Sequence, residues 1–484
     1  MESISAVLKE RLEKINQLKA RGTVLYQDQF KPADFIQNLL DSFQDDKQVK
    51  ISGRMMTRRI HGKSAFADVH DHTGKIQIYV KLDVVGQDLF DLFQLLDLGD
   101  ILGVEGSLFV THKGEKTIQV SRFVLLSKIV QVLPEKWHGL KDVEIRYRQR
   151  YVDLIMNDDA RDIFIKRSLI VRSIRSFLDE RGFMEVETPM MQSIPGGARA
   201  KPFVTHHETL DTDLYLRVAP ELYLKRLLVG GFTKVYEINR SFRNEGISTR
   251  HNPEFTMLEV YEAYSDYEGM MNLTEELITS LVEKICQNVS ISYGEETLNF
   301  KKPWCRASFY DLLKEKSGQD WRTGDVKALA KKSGIPLEKE AEDIDILNEA
   351  FDRFVQPHLV NPTFVIDYPA ITTPLAKRKS GAPDLVARFE LFIGKMELAN
   401  AFSELNDPFE QRERMMKQQE IIGAGKEVDQ DFLRALEYAM PPAGGLGIGI
   451  DRLVMVLTNS LSIRDVILFP QLKPEKQLSE DSEP

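Results

Sequence analysis

The chain has 484 residues, with 64 Lys and Arg against 74 Asp and Glu and a formal net charge of −10. That length exceeds one compact core and implies two or three domains, while 42% hydrophobic and 29% charged residues exclude disordered and fibrous classes. No apolar run approaches the roughly 18–20 residues that would span a membrane, and the acidic balance argues against a general nucleic-acid binder while leaving room for a local basic face.

Cys286 and Cys305 are the only cysteines. They point to the reducing cytoplasm, with neither a disulfide framework nor a zinc cage. The charged start, with Glu2, Lys9, Glu10 and Arg11, carries no secretory signal pattern.

Residues 1–48 are expected to form a helical extension, because Ile4, Val7, Leu8, Leu12, Ile15 and Leu18 recur at helical spacing. It either packs on its own domain or serves as a basic arm on RNA. From 49 to 128 the pattern changes to short alternating strands, with a turn at Thr73-Gly74. Five such strands predict a closed barrel of the OB type, a fold that binds single strands by stacking bases and pairing their edges. Phe66 and Gln77 are the candidate contacts there, although a strand Phe suits a barrel core as well.

Residues 129–160, rich in Arg and Tyr, are expected to be a linker. A helix follows over 161–181 and stops at Gly182. The remainder of a second domain, 161–471, mixes strands near 214–218, 234–243, 254–264 and 388–404 with helices, and 306–360 reads as a helical insertion. The polar tail, 472–484, is expected to be disordered.

Familiar nucleotide signatures are missing. The sequence holds no Walker loop, and Gly445-Leu446-Gly447-Ile448-Gly449 lacks dinucleotide-fold spacing. Arg243 to Phe255 offers an alternative: two arginines, His251, Glu245 and an aromatic around one turn, between strand-like flanks. Arginines there can grip a polyphosphate, and Phe255 can cover a flat ring.

In Arg388 to Glu404, Gly394-Lys395 fits a two-residue hairpin turn. Phe392 then faces Glu397 and Glu390 faces Ala399, which makes Glu390 and Glu397 diagonal neighbours on one face, roughly 7–8 Å apart. A cation such as Mg²⁺ bridging ATP oxygens would relieve their repulsion, and a solvated acid pair is the alternative. Glu404 joins that face only if the strand bulges between Leu398 and Ser403. Gly444 to Leu457 reads as a glycine-rich strand feeding an apolar helix, with Arg452 placed to meet a phosphate and Asp451 a candidate cap.

Together these regions resemble the signature motifs of class II aminoacyl-tRNA synthetases: motif 1 at Arg181 to Pro189, motif 2 around Phe242-Arg243-Asn244-Glu245, motif 3 at Gly447 to Arg452. An OB domain in front resembles the subclass serving Lys, Asp and Asn. The segments Ile194 to Ala198, Ala219 to Lys225 and Phe402 to Asp407 are similar to those of bacterial-type lysyl-tRNA synthetases.

The resemblance implies an α+β fold, with an antiparallel-sheet catalytic core behind the barrel. It implies a homodimer that joins lysine to tRNA-Lys with ATP and Mg²⁺, without a membrane. It implies that Arg243 and Arg452 are catalytic and bind ATP with Glu245, Arg250, His251, Asn252 and Phe255, and that Glu390 and Glu397 hold Mg²⁺. Gly197, Glu221, Glu259, Tyr261, Asn400 and Glu404 would bind lysine, and Phe66 and Gln77 the anticodon. A carboxylate at Glu404 suits an ammonium where an aspartate pocket would need a cation. Arg122 departs from the pattern, which has an acid near the end of the barrel.

Overall fold

The computed structural model describes residues 6–134, 142–198, 200–336, 342–422 and 428–474. It divides into two compact units, Met1–Lys141 and Asp142–Pro484.

The first unit is a closed five-stranded barrel. Its strands are β1 (Gln48–His61), β2 (Ser64–His70), β3 (Lys75–Lys81), β4 (Ile101–Val110) and β5 (Lys116–Ser127), and pairing of β1 with both β2 and β4 closes it. The period-2 pattern turns Ala65, Ala67 and Val69 inward and leaves Phe66 and Asp68 on the outer face. The first helix, α1 (Ala6–Ala20), sends Ile15 and Leu18 into the barrel's own core, and its Lys14 pairs with Asp97 at 2.9 Å.

Part of the expected linker, 135–141, lies outside the described residues, as do 337–341 of the expected insertion and all but 472–474 of the expected tail. Residues 142–160 are not a linker. They form α2 (Val143–Arg148), α3 (Arg150–Met156) and the start of α4 (Asp158–Asp179). Arg150 is buried and reaches Asp153 at 2.6 Å, the Arg464 carbonyl at 2.7 Å and the Leu468 carbonyl at 3.1 Å, so α3 is tied to the C-terminal segment. The turn that closes α4 runs to Gly182, whose φ of 79° lets the Phe183 amide return to the Leu178 carbonyl at 3.1 Å.

The centre of the second unit is a nine-stranded sheet. In chain order its main strands are β6 (Met184–Glu185), β7 (Lys234–Phe242), β8 (Glu254–Ala263), β9 (Cys305–Ser308), β10 (Thr363–Pro369), β11 (Ala382–Ile393), β12 (Met396–Ser403) and β13 (Ala443–Gly449). Their spatial order is β9-β10-β11-β12-β13-β8-β7-β6, with only the two outermost pairs parallel. The expected insertion begins as β9, and its helices form the crossover that returns the chain parallel beside β9 as β10.

One sheet face, with Leu258, Val260, Leu446, Ile448, Ala399 and Ala401, packs on α4 and a second long helix, α5 (Tyr267–Cys286). The alternating residues of the same strands face the other way and floor a cleft.

Candidate functional site

Register across the three central strands places the cleft floor. Gly445 of β13 lies between Tyr261 of β8 and Phe402 of β12, and Gly447 lies between Glu259 and Asn400. Glu390 continues the second row, opposite Asn400. Larger side chains in the middle strand would fill the floor. A Cβ on Gly447 would stand 3.2 Å from Glu259 Oε1, and one on Gly445 only 1.9 Å from Glu404 Oε1. The resulting cleft of about 310 Å³ is lined by Gly197, Glu221, Arg243, Glu245, Arg250, His251, Asn252, Phe255, Glu259, Tyr261, Glu397, Asn400 and Arg452.

The β11–β12 hairpin corrects the expected register. Gly394 and Lys395 form the turn, both with positive φ, at 60° and 64°. Phe392 faces Glu397 as expected, but Leu391 faces Ala399 and Glu390 faces Asn400 rather than Ala399, so Leu398 is an unpaired bulge residue. An ideal ladder would send Glu397 and Asn400 to opposite faces. The bulge restores them to one face, and alternation then carries Phe402 and Glu404 to that side as well.

Like Glu404, Glu390 is not among the residues that line the cleft. Its Oε2 accepts from Tyr368 Oη at 2.7 Å and its Oε1 touches the Arg388 guanidinium. Burial, resisted by Arg388 and reinforced by the charge of Glu397, pushes its carboxyl up to about 7. Each oxygen keeps a free lone pair, and a buried carboxylate near Glu397 offers the oxygen ligands that a hard divalent cation takes.

At the opposite wall, β7 and β8 pair in full register and present the loop between them to the cleft. The Arg243 amide bonds the Pro253 carbonyl at 2.8 Å, and its guanidinium lies 5.1 Å over the Phe255 ring. Arg243 Nε is buried without a hydrogen-bond partner. Arg250 donates to the Lys395 carbonyl at 3.2 Å. Asn252 Oδ1 accepts from the Gln471 amide at 3.2 Å.

Arg452 sits near the start of α6 (Ile450–Leu457), giving one bond to the Glu397 carbonyl at 2.7 Å and another to His251 Nε2 at 3.2 Å. His251 is held below its ordinary pKa by burial and by Arg452. A neutral ring that accepts at Nε2 donates from Nδ1, which lies 2.9 Å from Ser248 Oγ. Asp451 is not a cap: it accepts the Thr256 amide at 2.7 Å and pairs with Arg167 at 2.7 Å, tying α4, β8 and α6 together behind the site.

The deep end of the cleft is acidic. Gly197 has φ of 88°, and a Cβ there would press on Ala219 and Glu221 at 3.1 and 3.3 Å. Tyr261 donates to Glu259 at 3.3 Å, and burial with the nearby Glu221 charge pushes the Glu259 carboxyl up to about 8. Glu404, 1% exposed, lies under Gly445.

Sequence reasoning missed Lys225. It stands one turn after Glu221 on the helix Glu221–Val229, bonds Glu221 at 2.6 Å and touches Glu404 Oε2. The i, i+4 Glu–Lys spacing was the available signal. Arg388, the counter-cation of Glu390, was missed too; alternation on β11 puts both on one face.

The barrel pair lies in the first unit. Phe66 is on the outer face, stacked on Tyr79 at 4.6 Å, so it is not a core residue. Gln77 shares that face and accepts from Thr117 at 3.1 Å. Arg122 is exposed opposite Glu105, which pairs with Lys50 at 2.9 Å.

Two family models match the chain. That for tRNA synthetases class II (D, K and N) covers residues 142–473, and that for the OB-fold nucleic acid binding domain covers 49–126. The chain is 55% identical to a lysine--tRNA ligase of Carboxydothermus hydrogenoformans, over 98% of this chain and 99% of that one. It is 54% identical to that of Pelotomaculum thermopropionicum, with 98% and 96% covered, and 47% identical to that of Clostridium tetani, with 98% and 97% covered.

Proposed function

This chain belongs to the class II tRNA synthetases of the D, K and N group, and from that premise we propose that it is a lysine--tRNA ligase. The observation that carries the amino-acid choice is the deep end of the cleft. Glu221 and Glu404 hold one buried cation, Lys225, between them and Glu259 adds a third buried acid, so the pocket has acidic acceptors to spare for a substrate with two ammonium groups. An aspartate or asparagine pocket would need the opposite surplus.

In the first step a lysine carboxylate oxygen attacks the α-phosphorus of ATP, the bond to the β-phosphate oxygen breaks, and lysyl-adenylate and pyrophosphate result. The carboxylate is already ionised, so the barrier is repulsion and alignment rather than proton removal. Arg243, at the junction of the two ends, is assigned to the substrate carboxylate and α-phosphate; its buried, unpartnered Nε supports this.

Arg452 is assigned to the other phosphates or the adenine face. Arg250, His251, Asn252, Glu245 and Phe255 complete the ATP site. Glu390 and Glu397 would hold Mg²⁺, which neutralises phosphate charge. Gly197, Glu221 and Glu259 are assigned to the α-amino group, and Tyr261, Asn400 and Glu404 to the far end of the side chain. In the second step a ribose hydroxyl at the 3′ end of tRNA-Lys attacks the adenylate carbonyl and AMP leaves. We assign anticodon contacts to Phe66 and Gln77 on the outer barrel face.

The protein is proposed to act as a homodimer, checked by gel filtration, and in the cytoplasm, where its two unbridged cysteines would stay reduced. Among the described residues no helix is long and apolar enough to cross a membrane. The direct test is amino-acid-dependent ATP–pyrophosphate exchange with each of the twenty amino acids. Stimulation by lysine alone is expected, and stimulation by aspartate or asparagine overturns the reading.

A further inference from the structure

The two oxygens of Glu404 have different surroundings. Oε2 touches the ammonium of Lys225. Oε1 is buried against Gly445 at the cleft floor; neither oxygen has a hydrogen-bond partner, so the ion pair to Lys225 is what sets them apart. A buried carboxylate oxygen without a donor carries a desolvation cost that an incoming donor removes.

Lys225 is not free to leave. Its side chain is fully buried, its ammonium bonds Glu221 at 2.6 Å, and it lies 5.3 Å over the Phe402 ring. Burial alone would lower its pKa, but Glu221 and Glu404 hold the ammonium charged, above its ordinary range.

We propose that Lys225 is a positioning residue that sets the head-group selectivity of the pocket: by occupying one oxygen of Glu404, it leaves the substrate a single acceptor. A compact ammonium is content with one oxygen and can turn its other donors elsewhere. A guanidinium is a planar fork matched to both oxygens of a carboxylate. Here its second N–H would meet the Lys225 cation instead of an acceptor, and an unmet donor in a buried site is expensive. Discrimination against arginine then comes from the fork as well as from length.

The inference rests on the assignment of Glu404 to the far end of the substrate. L-2-Amino-4-guanidinobutyrate separates the two causes. Its terminal nitrogens lie as many bonds from Cα as the lysine nitrogen, so length is matched and only the fork differs. ATP–pyrophosphate exchange by the wild-type protein is expected to favour lysine over this analogue by on the order of 10²-fold or more.

In Lys225→Met the preference is expected to fall about tenfold or more, with the lysine KM raised and the ATP KM little changed. Lys225→Met combined with Glu221→Gln removes one buried charge of each sign, and is expected to show the same loss of preference should the single variant fold poorly. A wild-type protein that uses the analogue as well as lysine overturns the proposal, as does either Lys225 variant that activates lysine with its preference intact.

Glu404→Gln distinguishes the two failures. If it raises the lysine KM far more than the ATP KM while the Lys225 variants keep full preference, only the role of Lys225 falls. If it moves both KM values equally, the site assignment falls with it.

Discussion

The two ends of the cleft handle charge in opposite ways. The ATP end is built from long, partly exposed cations on a loop and a helix start. Arg243, Arg250 and Arg452 lean on carbonyls, a histidine nitrogen and an aromatic face, and Arg452 also faces the Glu397 carboxylate at 3.6 Å. The deep end buries acids on a strand, just past a strand end and at a helix start, with one lysine between two of them.

A mobile polyphosphate arriving from water is met by adaptable cations. A substrate identified by two fixed ammonium groups is met by acceptors whose positions the sheet sets. Desolvation makes each contact at the deep end matter more, and makes the empty pocket costly.

The comparison breaks most sharply at the residue that serves both ends. Arg243→Ala is expected to lower exchange on the order of 10³-fold, through kcat, with lysine binding less affected; a loss confined to lysine KM would place Arg243 wholly in the deep end.

At the deep end itself, Gly445→Ala inserts a methyl 1.9 Å from Glu404 Oε1 and 2.6 Å from Tyr261 Cε1. It is expected to raise the lysine KM on the order of 10²-fold with the ATP KM almost unchanged. Equal change in both would show that the two ends do not act separately.

Phe66→Ala, in the first unit, is expected to weaken tRNA binding about tenfold and leave exchange unaltered, as loss of one stacked base does. Unaltered tRNA affinity would remove Phe66 from the RNA surface.

The smallest expected effect is that of pH. Burial holds the Glu259 carboxyl near 8 in the lysine-free site, against an unfolded value of 4.5. Because the folded value is raised, the lysine-free protein loses stability from this group as pH rises from 4.5 to 8. Lysine binding favours the ionised form, so it should release a proton below about pH 8. The lysine KM should fall by about fivefold between pH 7 and 8, and titration calorimetry in buffers of different ionisation enthalpy counts the protons. A flat profile with no release would mean that Glu259 is already ionised.

Much of the site was legible because strand alternation is a local rule. Glu259 and Tyr261 share a face by spacing alone, and the turn at Gly394-Lys395 follows from its residues. The bulge at Leu398 was not legible, since any residue can stand unpaired there. Yet it decides whether Glu390, Glu397 and Asn400 share a face.

The 142–156 helices read as linker for a similar reason. Their polar, arginine-rich pattern makes sense only once Arg150 is seen bonded to carbonyls more than three hundred residues further on. By itself the sequence determined the motifs, their order, the inward and outward faces of the unbulged strands and the surplus of acids. Only the tertiary structure decided which acid meets which cation. Lys225 and Glu404 are far apart in the chain, and a buried charge finds its partner through the packing of a helix against a sheet, which no local pattern encodes.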